Sequence, residues 1–434
     1  MAALTLGACS DDPAPADDKA GPAETADIRL WLNGTDTPQA LRDYLVETFE
    51  AENPGSSLTI EEQDWNGLVP RLQTALASEG QTPDVVEVGN TQSPLFSHAG
   101  AFSDLTDLYE EVGGESLLPG FVDAGSVEDT VFALPYYSGA RAVFYRKDFF
   151  EQAGVEVPTT LEGFRDAAVT LHEANPADAD NFSGFWFPGQ DWYNGTAWIY
   201  TYGGELAVQD GDQWVGALSS PESQEALREV QTLFREATNA PADADSNEPW
   251  VPFNNGEVAM FSAPTWARWS IDLPECNEGV DAEDTSDEAN ELRAKQQACN
   301  EEKTGIFALP GMTEGEPATV FAGGSNIAIP AKSQNQELAA NLLRIIFSEE
   351  YQTMLAENGL IPGSTEYADL LGDDVYAQAA RAAALGAKLT PAAPNWADVE
   401  GERVLEDFFQ QLATGADVAA AAEEADQRLA DILN

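Results

Sequence analysis

One alternation constrains this chain more than any other feature: between residues 28 and 89, strand-like and helix-like stretches take turns at short, regular spacing. Residues 28–33, IRLWLN, read as a strand. Thr37-Pro38 then has the form of an N-cap followed by proline at the first helical position. Leu41, Tyr44, Leu45 and Phe49 follow at helical spacing, and Asn53-Pro54-Gly55 stops the helix. Residues 57–63, SLTIEEQ, make a second strand. Leu68, Leu72, Ala75 and Leu76 make a second helix, and residues 83–89, PDVVEVG, a third strand. This order predicts an α/β architecture, a parallel sheet with helices on both faces.

In open α/β sheets, ligands bind beyond the carboxyl ends of the strands. Here those ends are Asn33-Gly34-Thr35-Asp36, Asp64-Trp65-Asn66 and Asn90-Thr91-Gln92. Short polar and amide side chains with one tryptophan suit a neutral, hydroxyl-rich ligand. The chain has no G-x-G-x-x-G and no P-loop to cradle a phosphate.

Charge narrows the classes further. Asp and Glu number 76 against 20 Lys and Arg, a net −56, which repels phosphate backbones and excludes nucleic acid as a partner. The acidic residues are spread along the chain, as on a solvated surface. A cationic ligand stays open, with Asp36, Asp64 and Asp191 as candidate carboxylates. With 43% apolar residues in 434, the chain can build a large core and two or three domains. No stretch approaches the about 18 consecutive apolar residues of a membrane helix.

Membrane attachment would therefore come from Cys9. Leu6-Gly7-Ala8-Cys9 resembles the lipobox of bacterial lipoproteins, in which the cysteine is cleaved at and acylated. Residues 10–25 are rich in Asp, Pro and Ala and are expected to form a flexible tether. Residues 1–8 carry no Lys or Arg and only a short apolar region, so the upstream part of the signal is expected to be missing or the start assigned late. The other two cysteines, Cys276 and Cys299, bracket an acidic insertion with a short helix over 289–298. Outside the cell they suit a disulfide that pins this loop, against the alternative of two inert buried thiols. His98 and His172 are far from both cysteines in sequence, which disfavours zinc, and they read as surface or packing residues.

Aromatic residues are dense after residue 184, and the chain has ten tryptophans. Trp192 sits in GQDWYNG beside Tyr193, Trp266 and Trp269 flank Arg268 in APTWARWS, and Trp396 lies in PAAPNWAD. These are loop or helix-start contexts, where an indole can face a cleft as well as a core. A pyranose ring offers an apolar C–H face and a polar rim. A flat indole matches the face, and side chains such as Asp64, Asn90 and Gln92 match the rim. Arg268 could donate its planar fork to a ring oxygen or an acetamide carbonyl.

Four longer stretches carry a family resemblance. They are PDVVEVGNTQSPLFSHAGAFSDLTDLY, FALPYYSGARAVFYRKDFFEQAG, FNNGEVAMFSAPTWARWSI and TGIFALPGMTEGEPATVFAGGSNIAIPAKSQNQELAANLLRIIFSEEYQTMLAENGLIPG. In order and spacing they resemble the sugar-binding proteins of ABC importers, in the maltose- and oligosaccharide-binding branch. The resemblance implies a periplasmic-binding-protein-like fold of two α/β lobes, each a sheet flanked by helices, joined by hinge crossings. Residues 1–26 would be lipobox and tether, 27–138 plus 306–347 lobe one, and 139–305 plus 348–434 lobe two. It places ligand contacts on Thr35, Asp36, Asp64, Trp65, Asn90, Thr91, Gln92 and Tyr137. Stacking or hinge-side contacts fall on Trp192, Tyr193, Trp266, Arg268, Trp396, Gly324 and Ser325. Maltose binders carry a charged Asp/Arg pair where this chain has Thr91 and Gln92, which points away from maltose. EVGNTQ with YYSGARAVFYRKD looks more like actinobacterial binders of chitobiose, and α-glucosides stay open.

The expected function is capture of a di- or trisaccharide and its delivery to an ABC permease. It needs no catalysis, cofactor or metal. The protein would be a monomer, anchored by lipid on the outer face of a bacterial membrane. Two rivals remain: an extracellular glycosidase, which needs a carboxylate pair across the sugar, and a polyamine or other cationic-solute binder on the same fold.

Overall fold

The computed structural model describes residues 25–434 other than 66, 278, 280–285, 373, 374 and 386, and omits the side chains of 287, 288, 368, 369 and 382–385. The expected lipid site at Cys9, nearly all of the tether, and Asn66 lie outside the described residues. The first units follow the alternation closely. Strand Asp27–Asn33 leads to helix Gln39–Glu52, strand Ser57–Gln63, helix Leu68–Leu76 and strand Val85–Gly89. The first strand runs parallel to both others, Asp27 facing Ser57 through to Asn33 facing Gln63, with Leu30 opposite Val85. Helix Gln39–Glu52 buries Leu41, Leu45 and Phe49, one face at fourfold spacing. Its start departs from expectation. Pro38 takes the cap position without a side-chain bond, and the Thr37 hydroxyl pairs with the buried Tyr136 hydroxyl at 2.9 Å.

The sheet is mixed, not parallel throughout. Strand Ala322–Ala328 returns antiparallel to Val85–Gly89, because the chain comes back from the far side of the molecule to pair there. The 13-residue strand Leu134–Arg146 then joins two half-sheets. Leu134–Ala140 pairs with Ala322–Ile327, and Arg141–Tyr145 pairs with Met260–Pro264. Each half is covered on both faces. Ile28, Leu30, Leu45 and Tyr351 share one core, and Val86, Val88, Leu72 and Phe96 another. Beyond the junction, Val143 enters a core with Trp198 and Phe409, while Ala142 and Phe144 enter one with Phe253 and Phe261. Alternate residues of one strand thus feed opposite faces.

Packing moves two of the expected lobe limits. Strand Thr304–Phe307 pairs with Val143–Arg146, and Leu309, Val320 and Phe321 lie in the second-lobe core. The chain therefore returns to the first lobe near residue 322 rather than 306. Helix Glu349–Glu357 packs Tyr351 and Leu355 into the first-lobe core, so the first lobe extends past 347. Cys276 and Cys299 are disulfide-bonded in the structure, with Cα atoms 5.6 Å apart. The helix expected over 289–298 spans Asp287–Lys303. The final helix, Val418–Leu433, buries Leu429 and Leu433.

Candidate ligand site

A cavity of about 240 Å³ lies where the half-sheets meet. Its first-lobe wall follows the carboxyl ends of the three parallel strands and contains Asp36, Trp65, Asn90, Thr91 and Gln92. Trp65 is seated by missing side chains. A Cβ on Gly34 would come within 3.3 Å of its indole, and one on Gly89 within 3.4 Å. The Trp65 Nε1–H donates to Asp36 Oδ2 at 2.9 Å, which fixes the ring plane. Asn90 bonds to the neighbouring crossing strand, its N–H to the Gly324 carbonyl and its Nδ2 to the Ala322 carbonyl. The Gln92 Oε1 is buried with no partner among the described residues.

The floor is made by the crossing strands. Gly324, at φ +136°, lies so close to the long strand that a Cβ would fall 2.3 Å from the Tyr137 carbonyl, so only glycine fits there. Ser325 and Tyr137 border the cavity beside it. The Tyr137 hydroxyl donates to Glu87 Oε1 at 3.0 Å and lies 3.5 Å from Asp36 Oδ2. Glu87 Oε2 accepts from the Asn33 backbone N–H at 2.7 Å. Burial pushes Glu87 up to about 7, its bond from Asn33 opposing this, and raises Asp36 as well.

The second-lobe wall contains Arg141, Tyr193, Trp266, Phe321 and Glu400. The Tyr193 ring packs 4.1 Å from Trp192 and 5.0 Å from Phe321, with the Arg141 guanidinium 5.1 Å above it. Trp266 meets Trp250 edge-on at 5.7 Å. Together with Asp36 it also lines a neighbouring cleft of about 540 Å³ that contains Thr35 and Trp269. The Glu400 carboxylate accepts from the Thr91 hydroxyl at 3.1 Å, and this bond crosses between the lobes. Burial pushes Glu400 up to about 7, with Glu406 adding repulsion.

Five expected contacts lie elsewhere. Trp192 is 2% exposed and Trp396 fully buried, both in the second-lobe core, where they back the wall instead of lining it. A ring at the start of a helix can pack inward as the helix docks, as both do here. Arg268 sits over the Trp269 ring at 4.1 Å and lines a separate cavity with Tyr376. Asp64 is exposed, its carbonyl held by Arg71. Thr35 borders only the neighbouring cleft.

Arg141, Glu400 and Glu87 were missed, and each left a signal. Arg141 shares strand parity with Tyr137 and Gly139. Glu400 is one helical turn after Trp396, so the helix presents the carboxylate where the indole was expected. Glu87 is a lone acid in a strand buried on both faces. Among the described residues no group of three or more His, Cys, Asp or Glu could hold a metal ion, and no helix is long and apolar enough to cross a membrane.

Comparison with known proteins bears on the family and the fold. A family model described as "Bacterial extracellular solute-binding protein" matches residues 33–353. The diacetylchitobiose-binding protein DasA of Streptomyces coelicolor is 32% identical over 431 residues, covering 97% of this chain and 93% of that protein. Among solved structures, the GacH receptor of Streptomyces glaucescens superposes with a TM-score of 0.75 at 19% identity, covering 94% of this chain and 99% of that one. The sugar-binding protein MalE of Xanthomonas citri gives 0.74 at 22% identity, covering 94% and 97%. Both likenesses concern the fold.

Proposed function

The chain belongs to the bacterial extracellular solute-binding proteins, and on that premise we propose that it captures a di- or trisaccharide between its lobes and delivers it to an ABC permease. It is a binding protein and not an enzyme. The first-choice ligand is N,N′-diacetylchitobiose, with α-glucosides as the alternative. One observation carries this reading: Trp65 from the first lobe and Trp266 from the second border the same cavity, amid Asp36, Asn90, Gln92, Arg141 and Glu400. Flat rings suit the C–H faces of pyranoses, and amides and carboxylates suit their hydroxyl edges.

Capture proceeds by rotation about the crossing strands. Sugar binds one wall of the open cleft, the lobes close, and the second wall completes its contacts. The closed form docks on the permease. Anchoring through a lipid on Cys9, on the outer face of the membrane, and a monomeric state belong to the same proposal.

The test is calorimetric titration with diacetylchitobiose, maltose, trehalose and cellobiose. We expect one-to-one binding of diacetylchitobiose at about micromolar dissociation constant or tighter, roughly −8 kcal/mol. Absence of binding by the whole panel contradicts the proposal.

A further inference from the structure

The cavity's hydrogen-bonding capacity is lopsided. Of Glu400's two oxygens, Oε2 is taken by Thr91, while Oε1 is buried with no partner among the described residues. The buried Trp396 indole acts on this carboxyl from the core side. Gln92 adds a second buried acceptor oxygen without a partner. Asp36 supplies another carboxylate to the lining.

Positive charge is scarce by comparison. Arg141 is the one basic residue of the lining among the described residues. Its Nη1 is bonded to the Ser262 carbonyl at 3.1 Å, and its charge acts on the buried Asp191. Among the described residues Glu400 has no ion pair. The groups acting on it are Thr91, Trp396 and Glu406, and its own charge acts on Tyr193. Burial disfavours an uncompensated carboxylate, and a cation beside it relieves that cost.

We propose that Glu400 is the charge reader of this site: on one sugar skeleton it ranks an ammonium substituent above a hydroxyl and a hydroxyl above a carboxylate. The inference rests on the sugar-binding reading and deepens it to amine-bearing sugars. The ionised carboxylate at the cavity wall accepts a hydrogen from the ammonium group, a charge-assisted bond stronger than one from a hydroxyl. A ligand carboxylate meets Glu400 and Asp36 as like charges.

The test uses three disaccharides of one skeleton: cellobiose, its 2,2′-diamino counterpart (the glucosamine dimer) and cellobiuronic acid. Each is titrated by calorimetry at pH 6 and pH 7, with diacetylchitobiose alongside. The diamino sugar should bind about tenfold tighter than cellobiose at pH 7, and cellobiuronic acid weaker than cellobiose. The preference for the amine should shrink at pH 6, where Glu400 is more often protonated and the amine stays charged. Glu400→Gln should cut the pH 7 ratio to under about threefold and remove its pH dependence.

The inference is overturned if the diamino sugar binds no better than cellobiose, or does not bind. It is equally overturned if Glu400→Gln keeps the wild-type ratio. If diacetylchitobiose binds while the charge order is missing, this inference alone fails. If the charge order holds while diacetylchitobiose does not bind, the charge reader stands and the first-choice ligand falls.

Discussion

The Thr91 hydroxyl donates to the Glu400 carboxylate at 3.1 Å, joining two residues 309 positions apart in the chain. One follows the third parallel strand of the first lobe, and the other lies on a second-lobe helix, Trp396–Gly401. The bond therefore exists only while the lobes are together, and it favours the closed state over the open one. Thr91→Val keeps the shape and deletes the donor. The variant is expected to bind diacetylchitobiose about tenfold more weakly, and its unliganded form to have a larger radius of gyration in X-ray scattering. Unchanged affinity and radius would show that the bond carries no closure energy.

Glu87 makes stability depend on pH. Burial holds it at about 7, above its ordinary 4.5, so the folded protein keeps a proton that the unfolded chain has released. Its contribution is whole below about 4.5 and is lost as pH rises through about 7. Denaturant unfolding of Glu87→Gln and wild type should therefore show the variant gaining on wild type across that window, by up to a few kcal/mol. A constant difference between pH 4.5 and 7 contradicts this assignment.

Tryptophans divide into two kinds by what their loss costs. Trp266→Ala should leave the fold standing and weaken sugar binding by about 1–3 kcal/mol, since a stacking face is removed. Trp192→Ala and Trp396→Ala should cost about 3–5 kcal/mol of unfolding free energy, as buried aromatic truncations do. Thermal melts beside titrations separate the two. A Trp396→Ala protein with wild-type stability and no sugar binding would return that ring to the cavity.

The pair Cys276 and Cys299 closes a loop of 23 residues' separation. Reduction should cost about 3 kcal/mol, and chiefly loosen helix Asp287–Lys303. Hydrogen exchange with and without reductant reads this directly. Equal protection in the two states would mean that the bond does not constrain the loop.

The first lobe was easy to read because its elements are local. Of the three polar strand ends, Asp36, Trp65, Asn90, Thr91 and Gln92 border the cavity and Thr35 and Asp64 do not, since a βαβ unit sets where its loops emerge but not which side chain of each loop turns inward. The sheet's mixed sense was not legible. It depends on residues 322–328 returning to pair beside residues 85–89, a long-range choice that local periodicity does not encode. The aromatic residues were ambiguous for a similar reason. Tyr193 and Trp192 are neighbours in sequence, yet one turns to the cavity and the other to the core, and only the docking of the helix decides which. Glu400 was hidden in a chain with 76 acidic residues, where no single carboxylate stands out until burial selects it.

A crystal structure of the protein with diacetylchitobiose would show whether sugar is held between the two lobes. A sugar ring is expected in the cavity of about 240 Å³, in contact with both Trp65 and Trp266, with Glu400 within hydrogen-bond distance of the ligand. A sugar bound to one lobe alone, or anywhere outside this cavity, would contradict it.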